Sequence, residues 1–293
     1  MPRPVLSAVC AVTACFVLSG SPCRAQTYTA DQFKIESWIG KTVRMDGWET
    51  ETETRIWLGE GPVSTPWSGT RSLRILPANE VIDGHPTNAA MVMGDEPPGP
   101  PNYEQEPAVL SAAEGWINFG SHPAYTGNRE HFTNGITMVP PTMTVGDSFL
   151  DARCTTWEGQ WDGGQAWTGT CTRTITIAGI EPVTLPTGVC DALRIDYVDD
   201  RTKNGLGGDH WATEHWETSF WLLEGVGPVK MTESELKRHY DTFYDNGNSP
   251  MSEYTSQSES LFTIVPEPAT LGLFAVCSVA LIGRRRRRRS RTH

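Results

Sequence analysis

Between its turn residues this chain alternates. Thr172-Arg173-Thr174-Ile175-Thr176-Ile177 sends every second residue to one face and stops at Ala178-Gly179. Val189, Leu193, Ile195 and Tyr197 share a face, with Arg194 and Asp196 on the other. Within His210 to Leu223, Trp216, Phe220 and Leu222 repeat the pattern, and Arg71 to Leu76 is a shorter instance. A period of two is the mark of a strand, and β-branched and aromatic residues fit its pleated surface. The 28 glycines and 21 prolines among 293 residues disfavour long helices. Thr232 to Tyr240, with Leu236 and Tyr240 four apart, reads as the best helix, and a short helix is expected to start near Thr29-Ala30-Asp31. The fold class expected is mainly β: an antiparallel sandwich or open half-barrel with one or two short helices.

Organisation follows from the breaks in this pattern. Asp95 to Pro107 contains five prolines and reads as a loop, a possible split within an exported β-rich body spanning 26–245. Residues 246–264 are polar and Ser-rich, with little to build a core, which suits a flexible stalk.

Both ends read as addresses. Residues 1–25 have the form of a secretory signal peptide: Arg3, the apolar Val5 to Leu18, then Cys23 and Ala25 at the small-residue positions before a cut. Gly20 and Pro22 do not suit a lipoprotein signal, so Cys23 is not expected to be lipidated. At the other end, Val265-Pro266-Glu267-Pro268 precedes an apolar run over 269–283 and then Arg284, Arg285, Arg286, Arg287, Arg288 and Arg289. Fifteen apolar residues make a helix of roughly 22 Å, short for a bilayer core of about 30 Å. Snorkelling arginines extend it, and positive charge retained on the cytoplasmic side stops transfer. Residues 26–268 hold 15 basic and 35 acidic residues. That balance excludes a nucleic-acid partner, which requires a positive surface.

The tail resembles the PEP-CTERM sorting signal of bacterial envelope proteins. The resemblance rests on three parts in order over 265–293: Val-Pro-Glu-Pro, a short apolar helix and an arginine cluster. It implies that Pro266, Glu267 and Pro268 are read by an exosortase, a membrane cysteine protease. The protein would be anchored transiently in the inner membrane, then passed to the cell surface or extracellular matrix. Signal peptidase and the exosortase-like protease are the export partners it implies, and exopolysaccharide or biofilm is the implied setting.

The cysteines fit an oxidised body. Cys10, Cys15 and Cys23 leave with the signal and Cys277 lies in the apolar run, leaving Cys154, Cys171 and Cys190. Asp162-Gly163 is a favoured pair for a two-residue hairpin loop. Centred there, residues whose numbers sum to 325 face each other, and Cys154 with Cys171 is such a pair. A cross-strand disulfide is expected, with Cys190 left as a buried thiol or a competing partner. In this register Trp167 faces Glu158, while Trp157 and Trp161 share the opposite face.

From Val145 to Lys230 the order of features resembles secreted bacterial β domains, some likened to the half-barrels of lipoprotein carriers. Gly225-Val226-Gly227-Pro228-Val229-Lys230 would be a structural turn there.

Candidate sites are few. Trp157, Trp161 and Trp167 around the hairpin turn are possible glycan-facing residues, since an exposed indole stacks on a sugar ring. The bland alternative is a core or cross-strand role. His210-Trp211-Ala212-Thr213-Glu214-His215-Trp216-Glu217 misses the metalloprotease spacings, and on a strand its ligands point to two faces. Asp196, Asp199 and Asp200, near a Gly-rich loop, are weak candidates for structural Ca²⁺; no other cofactor is indicated. There is no Gly-x-Ser-x-Gly elbow, no dinucleotide fingerprint and no phosphate loop. The expected function is that of a non-catalytic, exported surface or matrix protein associated with polysaccharide. A secreted carbohydrate-active enzyme and an apolar-ligand half-barrel are the alternatives.

Overall fold

A computed structural model describes residues 26–82, 84–95, 104–123, 129–160, 166–205, 210–242 and 247–265. The strands are β1 (Thr27–Thr29), β2 (Thr42–Thr54), β3 (Val63–Pro77), β4 (Val81–Ile82), β5 (His85–Pro86), β6 (Ala89–Asp95), β7 (Glu104–Ser111), β8 (Gly115–Pro123), β9 (Arg129–Val139), β10 (Thr142–Thr144), β11 (Ser148–Leu150), β12 (Thr156–Gln160), β13 (Ala166–Leu185), β14 (Gly188–Asn204), β15 (His210–Leu223), β16 (Gly227–Asp241) and β17 (Ser252–Val265). Three short 3₁₀ turns, Ala30–Phe33, Ile35–Trp38 and Ile56–Leu58, complete the described elements.

The principal sheet runs β13-β12-β9-β8-β7-β6-β3-β2-β17-β16-β15-β14, and β14 pairs back onto β13. Twelve antiparallel strands thus close a barrel, with β11 lying beside β13 as an addition to the wall. This corrects the expectation of a sandwich or open half-barrel. Closure removes the bare edges that either alternative would leave to be covered. Alternation alone cannot distinguish these cases, because one buried face per strand satisfies all of them.

The alternation of β13 shows how the wall is built. Thr168, Thr170, Thr172, Thr174 and Thr176 face outward, while Trp167, Cys171, Arg173, Ile175 and Ile177 are buried inside. On β17 the outward residues Glu253, Thr255, Gln257 and Glu259 are likewise polar. These outer faces differ from the apolar band that a lipid-embedded barrel presents.

A ring of twelve strands is too wide for its own side chains to fill, unlike a ring of eight. At one end the N-terminal segment fills it. Thr29 and Gln32 form a capping box that starts the first 3₁₀ turn, as the sequence led one to expect. Tyr28, Phe33, Ile35 and Trp38 then pack against Val43, Ile75, Leu193, Phe220 and Leu222 of the wall. The indole of Trp38 donates to the carbonyl of Val226 at 2.7 Å. It lies so close to Gly227 that a Cβ there would come within 2.6 Å of its Nε1. The Gly225–Lys230 segment therefore spans the β15–β16 turn and the start of β16, where Gly227 makes room for the plug.

Three further expectations are corrected. Thr232 to Tyr240 belongs to strand β16. Glu233, Glu235, Lys237 and His239 alternate into the barrel, and a polar inward face hides the period of two. Residues 252–264 belong to β17, between β16 and β2. Ser252, Tyr254, Ser256 and Ser258 face inward there, so the strand lacks the hydrophobic stripe that would separate it from a stalk. The split near 95–107 is absent from the fold: β6 and β7 pair across it, Ala89 with Ala108 and Met91 with Glu106.

The disulfide Cys154–Cys171 is present, with Cα atoms 5.4 Å apart. The hairpin register around it is shifted by one from the expected register. Trp157 pairs with Gly169, and Gly159 with Trp167. Gln160 pairs with Ala166, the last described pair of the hairpin, and its numbers sum to 326 rather than 325. Each indole now lies opposite a glycine; a Cβ on Gly169 would come within 2.5 Å of the Trp157 Nε1. A one-residue slip turns side chains to the opposite face. Trp157 therefore joins Trp167 inside, their rings 4.6 Å apart and edge to face.

Candidate functional site

The inside of the barrel changes character along its axis. Tracing β14 from the plugged end gives Leu193, Ile195 and Tyr197, then Asp199, Arg201 and Lys203, all of one parity and all facing in. Other strands of the wall change likewise: Met45 on β2 is followed by Glu49, Glu51 and Glu53, and Met231 on β16 by Glu233, Glu235, Lys237 and His239. Half of the lumen is thus an apolar core and the other half is lined with charge.

Most of this charge is internally matched. Arg173 Nε and Nη2 donate to the two carboxylate oxygens of Asp199, each at 2.6 Å, and Arg201 donates to Asp199 at 2.6 Å. Arg173 also donates to the carbonyl of Thr137 at 3.1 Å, and the Tyr197 hydroxyl donates to that of Met138. Burial works to raise the Asp199 pKa, but the two guanidiniums outweigh it and hold the carboxyl below its ordinary range. Lys203 reaches Glu130 at 2.7 Å and Glu214 at 3.0 Å, and Lys237 reaches Glu214 at 3.0 Å. Burial opposes ionisation of Glu214 too, yet the two ammonium groups bring it down to about 2. Lys203 lies over Trp157 and Trp167 at 4.6 and 4.8 Å, and Arg201 over the rings of Phe132, Trp157 and Trp216 at 5.1 to 5.3 Å. Aromatic rings and carboxylates together replace the water that these cations lose on burial.

Two carboxyl groups are treated differently. Glu233 and Glu235 stand two apart on β16. Burial raises each from 4.5 to about 7, with Glu49 adding to the effect at Glu233 and Glu214 at Glu235. His239 is pushed down to about 4 by burial and by Lys237 and Lys203. Perturbed groups of this kind gather at functional sites and in structural ion networks alike.

The sequence-derived candidates fall in several places. Trp157 and Trp167 are 1% and 2% exposed, so neither offers a face to a glycan; they form the aromatic bed of Lys203. Trp161 lies outside the described residues. Asp196, Asp199 and Asp200 do not converge, because neighbours on a strand alternate. Asp199 faces the lumen arginines, Asp200 faces outward to His215 at 2.8 Å, and Asp196 accepts from Ser219 outside at 2.7 Å. No cluster of metal-ligating side chains occurs among the described residues. Glu214 faces in, while His215 and Glu217 face out 3.5 Å apart, the division of faces expected for that strand. Cys190 is a free thiol, half-buried beside Val183 and 3.7 Å from its carbonyl. The buried charges were legible in part: Asp199, Arg201 and Lys203 continue the parity of Leu193, Ile195 and Tyr197.

The remaining site is the tail. No helix among the described residues is long and apolar enough to cross a membrane; Pro266, Glu267, Pro268, the apolar run 269–283 and Arg284 to Arg289 lie outside them. What is described is the approach to the motif. β17 stays paired with β2 to its end, Ile264 with Val43 and Val265 with Thr42.

Comparison with known proteins matches residues 265–288 to the PEP-CTERM protein-sorting motif. The match supports an exported protein sorted by an exosortase to the cell envelope or surface. No curated protein matches the chain. Among solved structures, a hypothetical lipoprotein, YmcC from Escherichia coli (K12), is similar at 8% identity and a TM-score of 0.32, covering 76% of this chain and 85% of that one. A loop L8 deletion mutant of OmpT, an outer membrane protein of Vibrio cholerae, is similar at 8% identity and a TM-score of 0.26, covering 76% of this chain and 100% of that one.

Proposed function

We propose that this chain is a non-catalytic barrel module displayed at the cell surface or in the extracellular matrix, where it associates with polysaccharide. Signal peptidase removes residues 1–25, the apolar run anchors the chain transiently in the inner membrane, and an exosortase-like protease acts near Pro266-Glu267-Pro268. The observation that carries this reading is the junction at Val265. The strand that completes the barrel, Ser252–Val265, runs up to the residue where the motif match starts, which supports the barrel as the delivered cargo.

The matched charges of the lumen support a structural rather than a catalytic interior. Arg173, Asp199 and Arg201 are paired with one another, as are Lys203, Glu214 and Lys237, although Arg201 Nε has no acceptor among the described residues. The plug speaks against an apolar-ligand carrier, because the apolar end of the lumen is occupied by Phe33, Ile35 and Trp38. One observation favours a second reading. Glu233 and Glu235, raised to about 7, have the property of a general acid, which a carbohydrate-active enzyme needs.

A single incubation separates these. The full chain in detergent is mixed with polysaccharide from the producing bacterium, with and without chelator, and sedimentation and reducing ends are followed together. Co-sedimentation without new reducing ends is the expected result. New reducing ends that disappear in Glu233→Gln or Glu235→Gln would establish the enzymatic reading. If neither co-sedimentation nor new reducing ends are seen, polysaccharide is not the partner.

A further inference from the structure

The outside of the barrel carries a groove whose lining takes in Asp196 and Glu217 from the candidates above. It crosses β14, β15, β16, β17 and β2 and encloses about 450 Å³. Strand register explains it. One outward row runs Asp196, Ser219, Thr232, Glu259 and Trp48 across the five strands; the next runs Val198, Glu217, Ser234, Gln257 and Thr50. In the middle of these rows stand Ser219, Thr232 and Ser234, whose side chains are short, with the longer Glu217, Gln257 and Glu259 beside them. Trp48 stands at one end and Arg194, beside Asp196, at the other. A trough therefore lies across the strands, roughly 19 Å long for four interstrand steps of about 4.8 Å.

The chemistry of the trough is specific in kind. Trp48 is 44% exposed and holds a large aromatic face at its end. The floor and walls are hydroxyls and an amide: Thr232, Ser234 and Gln257, with Ser219 donating to Asp196 at 2.7 Å. Charge in the lining is acidic on balance, with Asp196, Glu217 and Glu233 against Arg194. Asp196 is paired with Arg194 at 3.1 Å, and Glu259 with Lys230 at 2.9 Å. Such a lining offers donors and acceptors to hydroxyl groups and a stacking platform to a ring, with no net positive field for an anion.

We propose that this groove binds a segment of a neutral, hydroxyl-rich polysaccharide chain lying across the strands, one sugar ring stacked on Trp48 and its neighbours held by Gln257, Ser234 and Thr232. The inference rests on the polysaccharide reading above and gives it a site and a ligand class. It also moves the contact away from the hairpin tryptophans to a different indole on the opposite side of the wall from the lumen.

The test uses the full chain in detergent, titrated by calorimetry with short neutral oligosaccharides and, separately, with acidic ones. Trp48→Ala should weaken binding of the neutral ligand about tenfold or more, the usual effect of removing a central aromatic anchor. Ser234→Tyr, which fills the floor without removing the indole, should abolish it. Trp57→Ala, at an indole 52% exposed on the Ile56–Leu58 turn, should leave it unchanged. Thermal melts of each variant establish that the barrel is intact. Neutral-glycan binding untouched by both groove variants would overturn the site while leaving the polysaccharide reading standing. Binding of acidic oligosaccharides alone would overturn the ligand class. No binding to any of these, together with no sedimentation with the native polymer, would overturn both.

Discussion

At the scale of single residues the lumen is governed by Arg173 and Asp199. Their paired 2.6 Å contacts are buried, and removing Arg173 leaves Asp199 with the Arg201 contact alone. Arg173→Met is expected to destabilise the barrel by about 3–5 kcal/mol, read as a lowered denaturant midpoint. Arg173→Lys should recover little of this, because an ammonium cannot make the two-pronged contact. Glu233 and Glu235 set a pH dependence of opposite sign to the usual carboxylate. Below about pH 4.5 the folded and unfolded chains both carry these protons. Between 4.5 and about 7 the unfolded chain releases them and the barrel does not, so stability falls across that window and stays reduced above it. Glu235→Gln should therefore raise the melting temperature at pH 8 by a few degrees and leave it nearly unchanged at pH 4. His239, held neutral to about 4, opposes this at the acid end: the unfolded chain gains its proton first as pH drops below 6.5.

At the scale of elements, what was legible depended on which way each strand's polar residues point. β13 and the first half of β14 announce themselves because apolar residues face in and polar residues face out. β16 and β17 do not, because they run through the charged half of the lumen. Glu233, Glu235, Ser256 and Ser258 occupy positions that hydrophobic patterning reserves for a core. A spurious helix over 232–240 and a stalk over 246–264 follow from that one physical fact. The hairpin of β12 and β13 shows a finer limit. Its disulfide could be placed from spacing, but its register sets Trp157 against Gly169, where any Cβ would meet the indole, and Trp167 against Gly159. Pairing Cys154 with Cys171 closes a loop with a sequence separation of 17. Reducing it, or replacing both with Ser, should lower stability by about 3 kcal/mol by loop entropy, as measured by denaturant unfolding with and without reductant. Trp157 fluorescence should stay that of a buried indole if the barrel survives.

At the scale of the whole molecule, the ring is completed by β17. Ending the chain at Met251 would leave β2 and β16 with bare hydrogen-bonding edges. Such a chain should lose cooperative melting and aggregate on size-exclusion chromatography. A chain ending at Val265 should melt within about 2 °C of the full protein, a shift below roughly 1 kcal/mol for a domain of this size. The groove proposed for glycan includes Gln257 of β17 and Trp48 of β2, so it too exists only when this strand is in place. The position of β17 also orders events in time. β2 is among the first strands of the ring in the chain, and the partner it shares with β16 is the last. A polypeptide emerging N-terminus first must hold that gap open until nearly all of it has crossed. Completion of the ring is thus a test of chain integrity: a product cut short before Ser252 has neither the strand nor the tag. Cargo that reaches the sorting protease folded has already been proofread for length.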